Sequence, residues 1–371
     1  MASQPLPPMP AGITPEWLTE TLQANGTLGA DTVITELHRA QVGEGVGMMS
    51  EVSRLIPTYR STNNGSTNSA PASFIAKYPS QITANREVAM TMNLYERELR
   101  YFAELDPLTT ACCPTAYLTL LDGDNFILLL EDLGDYEVGD QIVGATLVQS
   151  EIAIDELAKL HAAFWNKVDD IEWIPHVSNS YHATNLRNFA FSGWDNMLAV
   201  FGEFIPPYIV ERKDDILSSI EALQAHTDRP PVTLTHGDYR MENFLYGTKP
   251  GHYRMAIVDW QGPLLARGMQ DVALLLGQST QTDVRRAHER ALLQRYLDGL
   301  AELGVTDYSL DEAWADYRYT LLHHWTYMTV VAGTLDASNE RAFAWMSQMV
   351  ARQVAATEDL ELLDMLPFTG S

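Results

Sequence analysis

Two stretches near the middle of the chain constrain it most. The first is His236-Gly237-Asp238-Tyr239-Arg240-Met241-Glu242-Asn243, and the second, at the end of an apolar run, is Ile257-Val258-Asp259-Trp260-Gln261. An Asp, an Asn five residues later and a second Asp after a β-like segment follow the order in which kinase-type phosphoryl transfer sets out a base and two metal-binding oxygens. Asp238 is able to orient a hydroxyl and accept its proton. The amide oxygen of Asn243 and the carboxylate of Asp259 are hard donors suited to Mg²⁺, which takes one or two protein carboxylates and fills its other positions with phosphate and water. The competing reading is that Asp and Asn are here only because both favour turns. Further parts upstream, in matching order, weigh against it.

The pattern around this motif predicts two regions of different character. Thr14-Pro15-Glu16-Trp17 reads as an N-cap with Pro at the first helical position, opening a short amphipathic helix. From about 33 to 79 the pattern is β-like, with strands at Val52 to Ile56 and Ser73 to Lys77 and a polar hairpin loop at 61–69. A helix is expected over 84–105. Two strands, Tyr117 to Leu121 and Phe126 to Leu130, flank the turn Asp122-Gly123-Asp124-Asn125. After Gly134 helices dominate: Ser150 to Trp165, then near 184–204, 207–225, 268–278, 281–303, 309–333 and 338–361. Short strands and loops at 232–260 interrupt them and carry the motif. The expected fold class is therefore α+β, with a small β-rich N-terminal lobe (1–133) and a larger helical C-terminal lobe (134–371).

Gly43, Gly45 and Gly47 precede the first clear strand. Glycines let a backbone approach phosphate oxygens with no Cβ in the way. The stretch is neither a Walker loop nor a dinucleotide fingerprint. Lys77 ends the strand Phe74-Ile75-Ala76-Lys77, from where a lysine reaches the α- and β-phosphates; by itself it reads more readily as an exposed strand-end lysine, and its position after the Gly loop and before an acidic helix reverses that preference. In the following helix Glu98 is the partner chosen for Lys77, with Glu96 as the alternative and a solvated face of i,i+4 pairs as the structural reading. The main chain of Glu131 and Leu133, where the β-rich half meets the helical half, is the expected contact for the nucleotide base.

Composition narrows the function class. The 371 residues carry a formal net charge of −25, which argues against nucleic acid or an anionic membrane surface as partner. No run of eighteen apolar residues is present, so membrane insertion is not expected. The N-terminus lacks the basic and apolar segments of a signal peptide. The only cysteines, Cys112 and Cys113, are adjacent and give no disulfide framework or zinc set. A cytoplasmic location is the expectation. Oligomeric state is not legible.

Three stretches carry a family resemblance: Lys159-Leu160-His161-Ala162-Ala163-Phe164-Trp165, Thr235 to Asn243, and Val258-Asp259-Trp260-Gln261-Gly262-Pro263. With them the chain resembles the aminoglycoside phosphotransferase and choline kinase superfamily, which has the protein-kinase-like fold, and most of all its ecdysteroid-kinase-like branch. The resemblance spans about residues 30–340. It implies ATP and Mg²⁺ as cofactors, Asp238 as the base, Asn243 and Asp259 as Mg²⁺ ligands, and Lys77 as the phosphate-binding lysine supported by Glu98. It gives His236 a structural role in the loop. Arg240 stands two residues after Asp238, where protein kinases carry a lysine directed at the transferred group, and so has two readings: transition-state stabilisation, or pairing with a loop carboxylate. Gln261 replaces the Gly of the protein-kinase metal motif.

Only Gly262 to Gln270 separates that motif from Asp271. This leaves no room for an activation loop and points to a small hydroxylated acceptor rather than a protein, with Asp271 bracing the catalytic loop. A nucleotide-binding pseudokinase is the alternative. Aromatic residues at Tyr181 to Met197 (Phe189, Trp194) and Trp314 to Met328 (Tyr317, Tyr319, His323, His324, Trp325, Tyr327) read either as an acceptor pocket or as ordinary helical core.

Overall fold

The computed structural model describes residues 6–7, 12–42, 49–61 and 70–368. Gly43, Gly45 and Gly47 and most of the expected polar loop, 62–69, lie outside the described residues. The chain divides into two compact units. The first comprises Met1–Leu108, Cys113–Asp135 and Asp259–Gln261; the second comprises Thr109–Cys112, Tyr136–Val258 and Gly262–Ser371.

In the first unit α1 (Pro15–Ala24) starts as its sequence dictates. The Thr14 hydroxyl accepts from the Trp17 amide at 3.1 Å, and Pro15 occupies the first turn, where its missing N–H costs nothing. Strands β1 (Thr32–Gln41), β2 (Ser50–Ser61), β3 (Phe74–Pro79), β4 (Ala116–Asp122) and β5 (Asn125–Glu131) form one antiparallel sheet in the order β1-β2-β3-β5-β4. Residues 126–130 of β5 are buried without alternation, as befits a strand covered on both faces. Trp17, Leu18 and Leu22 of α1 join Ile34, Leu55, Phe74, Ile127 and Leu129 in one core.

The single helix expected over 84–105 is not found. It is α2 (Thr83–Thr91), then α3 (Leu94–Arg100), then a π-turn over Tyr101–Leu105. The break falls at Asn93, whose φ of 54° is left-handed, a conformation Asn tolerates better than most residues. Tyr95 of α3 packs on Phe126 of β5 with ring centroids 4.6 Å apart.

In the second unit, β6 (Glu137–Val138), β8 (Phe244–Tyr246) and β9 (Met255–Ile257) make one small sheet, and β7 (Thr233–Thr235) pairs with β10 (Leu264–Ala266) in another. The helices are α4 (Leu147–Phe164), α5 (Ser180–Phe201), α6 (Pro207–Val210), α7 (Lys213–Ser218), α8 (Ile220–Thr227), α9 (Met269–Leu274), α10 (Thr282–Glu302), α11 (Leu310–Thr334) and α12 (Glu340–Asp359). The segment expected as one helix over 207–225 is three. Between α7 and α8 the Ser219 hydroxyl bonds the Asp215 carbonyl at 2.7 Å, the local competition that makes Ser a poor helix-interior residue. Ser309 and Glu312 form a capping box at the start of α11, and Thr146 and Gln149 form one at α4. Helices α5 and α11 meet backbone to backbone: a Cβ on Gly333 would stand 2.2 Å from the Gly193 carbonyl oxygen. Trp194 and Trp325, both fully buried, lie beside this crossing with ring centroids 6.1 Å apart.

Candidate active site

The first unit holds a lysine gripped by two acids. β3 brings Lys77 to the sheet face with its side chain 12% exposed. Its Nζ donates to Glu98 Oε1 at 2.8 Å and to Asp259 Oδ1 at 2.7 Å. Burial works against the ammonium, but Asp259 and Glu98 outweigh it and raise Lys77 above the usual lysine range. Burial pushes the Glu98 carboxyl up, against the pull of Lys77. Of the two glutamates the sequence offered, Glu98 is buried on α3 and meets Lys77, whereas Glu96 pairs with Arg100 at 3.3 Å. Gln261 joins the cluster: its Nε2 donates to Ser50 Oγ at 2.7 Å and to Glu98 Oε2 at 3.2 Å. The amide thus holds the second Glu98 oxygen, a bond a glycine could not make.

Asp259 sits at φ 67°, left-handed for a non-glycine residue, the kind of strain that persists where surroundings over-determine it. Trp260 follows, stacked on Tyr101 of the π-turn with centroids 3.5 Å apart. Leu133 is buried, and its amide makes no hydrogen bond among the described residues. The Glu131 amide is already engaged with the Thr115 carbonyl at 2.8 Å.

The second unit holds the loop between β7 and β8. Gly237 turns it at φ 81°. The buried carboxylate of Asp271 on α9 receives the His236 amide at 2.6 Å and the Gly237 amide at 3.0 Å. Asp271 therefore braces the loop. The His236 ring accepts the Asp238 amide on Nδ1 (3.2 Å) and donates from Nε2 to the Val258 carbonyl (3.0 Å), which fixes its tautomer. Asn243 Nδ2 donates to both the carbonyl (2.8 Å) and the carboxylate (3.1 Å) of Asp238, leaving the amide oxygen for another partner. Arg240 Nε donates to the Asp238 carboxylate at 3.1 Å and its Nη1 donates to Glu242 at 2.9 Å. The guanidinium carbon lies 4.9 Å from the centre of the Trp345 ring. The Asp238 side chain is 45% exposed.

A model of the ecdysteroid kinase-like family matches residues 44–306 of this chain. The chain belongs to the ecdysteroid kinase-like family. A search among curated proteins found no match. Among solved structures it is similar to a choline kinase from Cryptosporidium parvum, with TM-score 0.53 and 11% identity over 88% of this chain and 89% of that one. It is also similar to aminoglycoside 2'-phosphotransferase-IIIa in its GDP complex, with TM-score 0.51 and 13% identity over 92% of this chain and 98% of that one. These likenesses establish the fold: α+β, protein-kinase-like, with a β-sheet N-terminal part and a helical C-terminal part.

In this ecdysteroid kinase-like chain several loop supports carried no readable role in the sequence. His161 of α4 is fully buried, bonded to Tyr296 at 2.8 Å and to Asp271 at 3.3 Å. Tyr239 donates to the Ala153 carbonyl at 2.8 Å. Gln141 accepts the Met241 amide at 3.2 Å, and Arg352, whose guanidinium burial lowers to about 10, bonds the Gln141 and Ile142 carbonyls at 2.6 and 2.9 Å. His161 lies inside one of the stretches that carry the resemblance, so it was signalled without a role. Gln141 and Arg352 act from distant points of the sequence and had no signal. Most of the aromatic candidates are core: Trp194, Tyr317 and Trp325 are fully buried, while Tyr181 and Phe189 are about half exposed. No helix among the described residues is long and apolar enough to cross a membrane.

Proposed function

We propose that this chain is an ATP- and Mg²⁺-dependent kinase that transfers the γ-phosphoryl group to a hydroxyl of a small organic acceptor. The observation that carries the reading is Lys77, held at 2.8 and 2.7 Å by Glu98 and Asp259, residues 21 and 182 positions away along the chain. An ammonium kept charged and fixed is what nucleotide phosphates require. Membership of the ecdysteroid kinase-like family and the fold shared with a choline kinase and an aminoglycoside phosphotransferase support it.

The donor set fits Mg²⁺. Asn243 has its amide nitrogen committed to Asp238, so its oxygen is the free end, and Asp259 supplies a carboxylate that is 43% exposed. We assign both as Mg²⁺ ligands, a sparse set that suits an ion completing its shell with phosphate and water. When bound, the ion neutralises charge on the phosphates. Lys77 binds the α- and β-phosphates, and the backbone of Glu131 and Leu133 takes the base, with the unengaged Leu133 amide as donor. The stretch with Gly43, Gly45 and Gly47 is assigned to cover the phosphates.

Asp238 acts on the acceptor. Its carboxylate accepts the hydroxyl proton and aims the oxygen for in-line attack. Asp271, His236 and Asn243 hold it in register. Arg240, already paired to Asp238 and Glu242, keeps both its readings: a positioning group for the base, or a charge beside the transferred group.

Replacement of Asp238 by Asn is expected to lower turnover about 10²–10⁴-fold while ATP binding persists. The measurement is ADP release over a panel of hydroxylated compounds, with nucleotide binding followed by thermal shift. Turnover near that of the native chain would remove Asp238 as the base. Nucleotide binding with no turnover of any compound by the native chain would favour the pseudokinase.

A further inference from the structure

We propose that His323, His324 and Tyr327 of α11 form a hydrogen-bonding subsite for an uncharged, hydroxyl-bearing part of the acceptor. The inference rests on the acceptor being an alcohol, as proposed above, and names the residues that recognise it.

Both histidines are fully buried, and no ring nitrogen of either has a hydrogen-bond partner among the described residues. The Tyr327 hydroxyl has none either. The three side chains are neighbours. Tyr327 lies four residues after His323 and three after His324, the spacing that places side chains on one helix flank. Its ring centroid is 5.3 Å from the His323 ring and 5.7 Å from the His324 ring.

Buried polar groups are normally bonded, because leaving one unpaired costs its full desolvation. Elsewhere among the described residues of this unit unpaired buried atoms occur one to a side chain, as at Trp165 Nε1, Trp194 Nε1, His226 Nδ1, Gln270 Oε1 and Thr326 Oγ1, whereas each imidazole of this cluster has both nitrogens unpaired. His161 is just as buried and has both ring nitrogens paired, and His236 has both in use. Five unpaired polar atoms on adjacent side chains are therefore an exception that asks for a ligand rather than ordinary core packing.

The chemistry of the cluster selects an uncharged partner. Burial lowers both imidazoles to about 3, so they are neutral at physiological pH and each offers one donor and one acceptor. Among the described residues no buried carboxylate oxygen is left unpaired to receive a cation. A hydroxyl, which donates and accepts at once, matches two neutral imidazoles and a phenol. Position agrees as well: α11 packs on α9, which carries Asp271, and burial first and then Asp271 push the Tyr327 phenol up; the same Asp271 holds the backbone of His236 and Gly237 next to Asp238. α11 thus stands beside the brace of the loop that carries the base.

The test is equilibrium binding to the full chain without nucleotide, read by thermal shift and calorimetry, with ecdysone as neutral polyhydroxylated probe and choline as cationic probe. Ecdysone is expected to raise the melting temperature of the native chain, and choline is not. Tyr327→Phe, which removes one unpaired oxygen and keeps the ring, is expected to fold, to melt no lower than the native chain when unliganded, and to bind ecdysone about fivefold to tenfold more weakly. His323→Phe and His324→Phe are expected to weaken it further. A lower melting point for unliganded Tyr327→Phe would mean the hydroxyl is already satisfied, by a buried water only, and would overturn the proposal. So would ecdysone protecting none of the proteins, or native chain and variants equally. Because no nucleotide is present, failure here leaves the Asp238→Asn test intact, and failure of phosphoryl transfer leaves this binding measurable.

Discussion

No side chain fits at residue 237. The backbone is left-handed there, and a Cβ would stand 2.0 Å from the Gly262 carbonyl oxygen. The turn delivers the His236 and Gly237 amides to Asp271 and sets Asp238 at the loop's open side. Gly237→Ala should therefore cost roughly 1–3 kcal/mol in a denaturant titration and lose activity beyond what its remaining folded fraction explains. An unchanged midpoint would show that the loop relaxes around the methyl. Asp259 adopts the same region of backbone space with a full side chain. The sequence marked both residues through their motifs, but a positive φ is invisible in it, because it arises from what surrounds the residue. The sequence favoured Glu98 over Glu96 as the partner of Lys77, but it did not show which of the two is buried. Their helix positions differ by about 200° of rotation, and only the packing of α3 on the sheet decides which one is buried.

At the scale of elements, strands and long helices were legible because their apolar periods and caps are local. Thr14, Thr146 and Ser309 start α1, α4 and α11 through hydrogen bonds to residues three positions on. Breaks inside helical patterns were not legible: neither Asn93 nor Ser219 is a Gly or Pro, and each interrupts a helix whose apolar pattern continues past it. The buried face of α11 adds a pH dependence. His323 and His324 titrate at about 3 in the fold, from burial first and then from His182 beside His323 and from His323 beside His324, against an ordinary value of 6.5. Below pH 6.5 the unfolded chain takes up protons that the folded chain refuses, so stability falls as pH falls from 6.5 toward 3. Each histidine contributes about 1.4 kcal/mol per pH unit, or roughly 2 kcal/mol by pH 5. Asp155, Asp316 and Asp359, whose partners hold them below the usual carboxylate range, lose their contributions only at lower pH. Urea titrations between pH 7 and 5 should show this slope in the native chain and a shallower one in His323→Phe and His324→Phe. Equal slopes in all three would mean the imidazoles are protonated in the fold.

At the scale of the whole molecule, the proposed function asks a chain with net charge −25 to supply its own local positive charge for a polyphosphate, and it assigns that task to few groups under tight control. Lys77 is fixed by two acids, and the supports of the loop in the second unit come from positions as distant as Gln141 and Arg352. Such long-range partners leave no spacing to read, which is why the motifs were legible and much of their support was not. Asp259 belongs to the first unit together with Lys77, Glu98 and Gln261, although its neighbours along the chain, Val258 and Gly262, belong to the second. Removing it takes away one of the two carboxylates on Lys77 as well as the assigned metal ligand. In the native chain, ATP with Mg²⁺ should raise the unfolding free energy by RT ln(1 + [L]/Kd), about 2.7 kcal/mol at a hundredfold excess over Kd, with a smaller gain when the metal is chelated. In Asp259→Ala the metal-dependent part of that gain should vanish, while the unliganded protein still unfolds cooperatively. A Mg²⁺-dependent shift of native size in the variant would show that the ion is held elsewhere and would leave Asp259 with only its grip on Lys77.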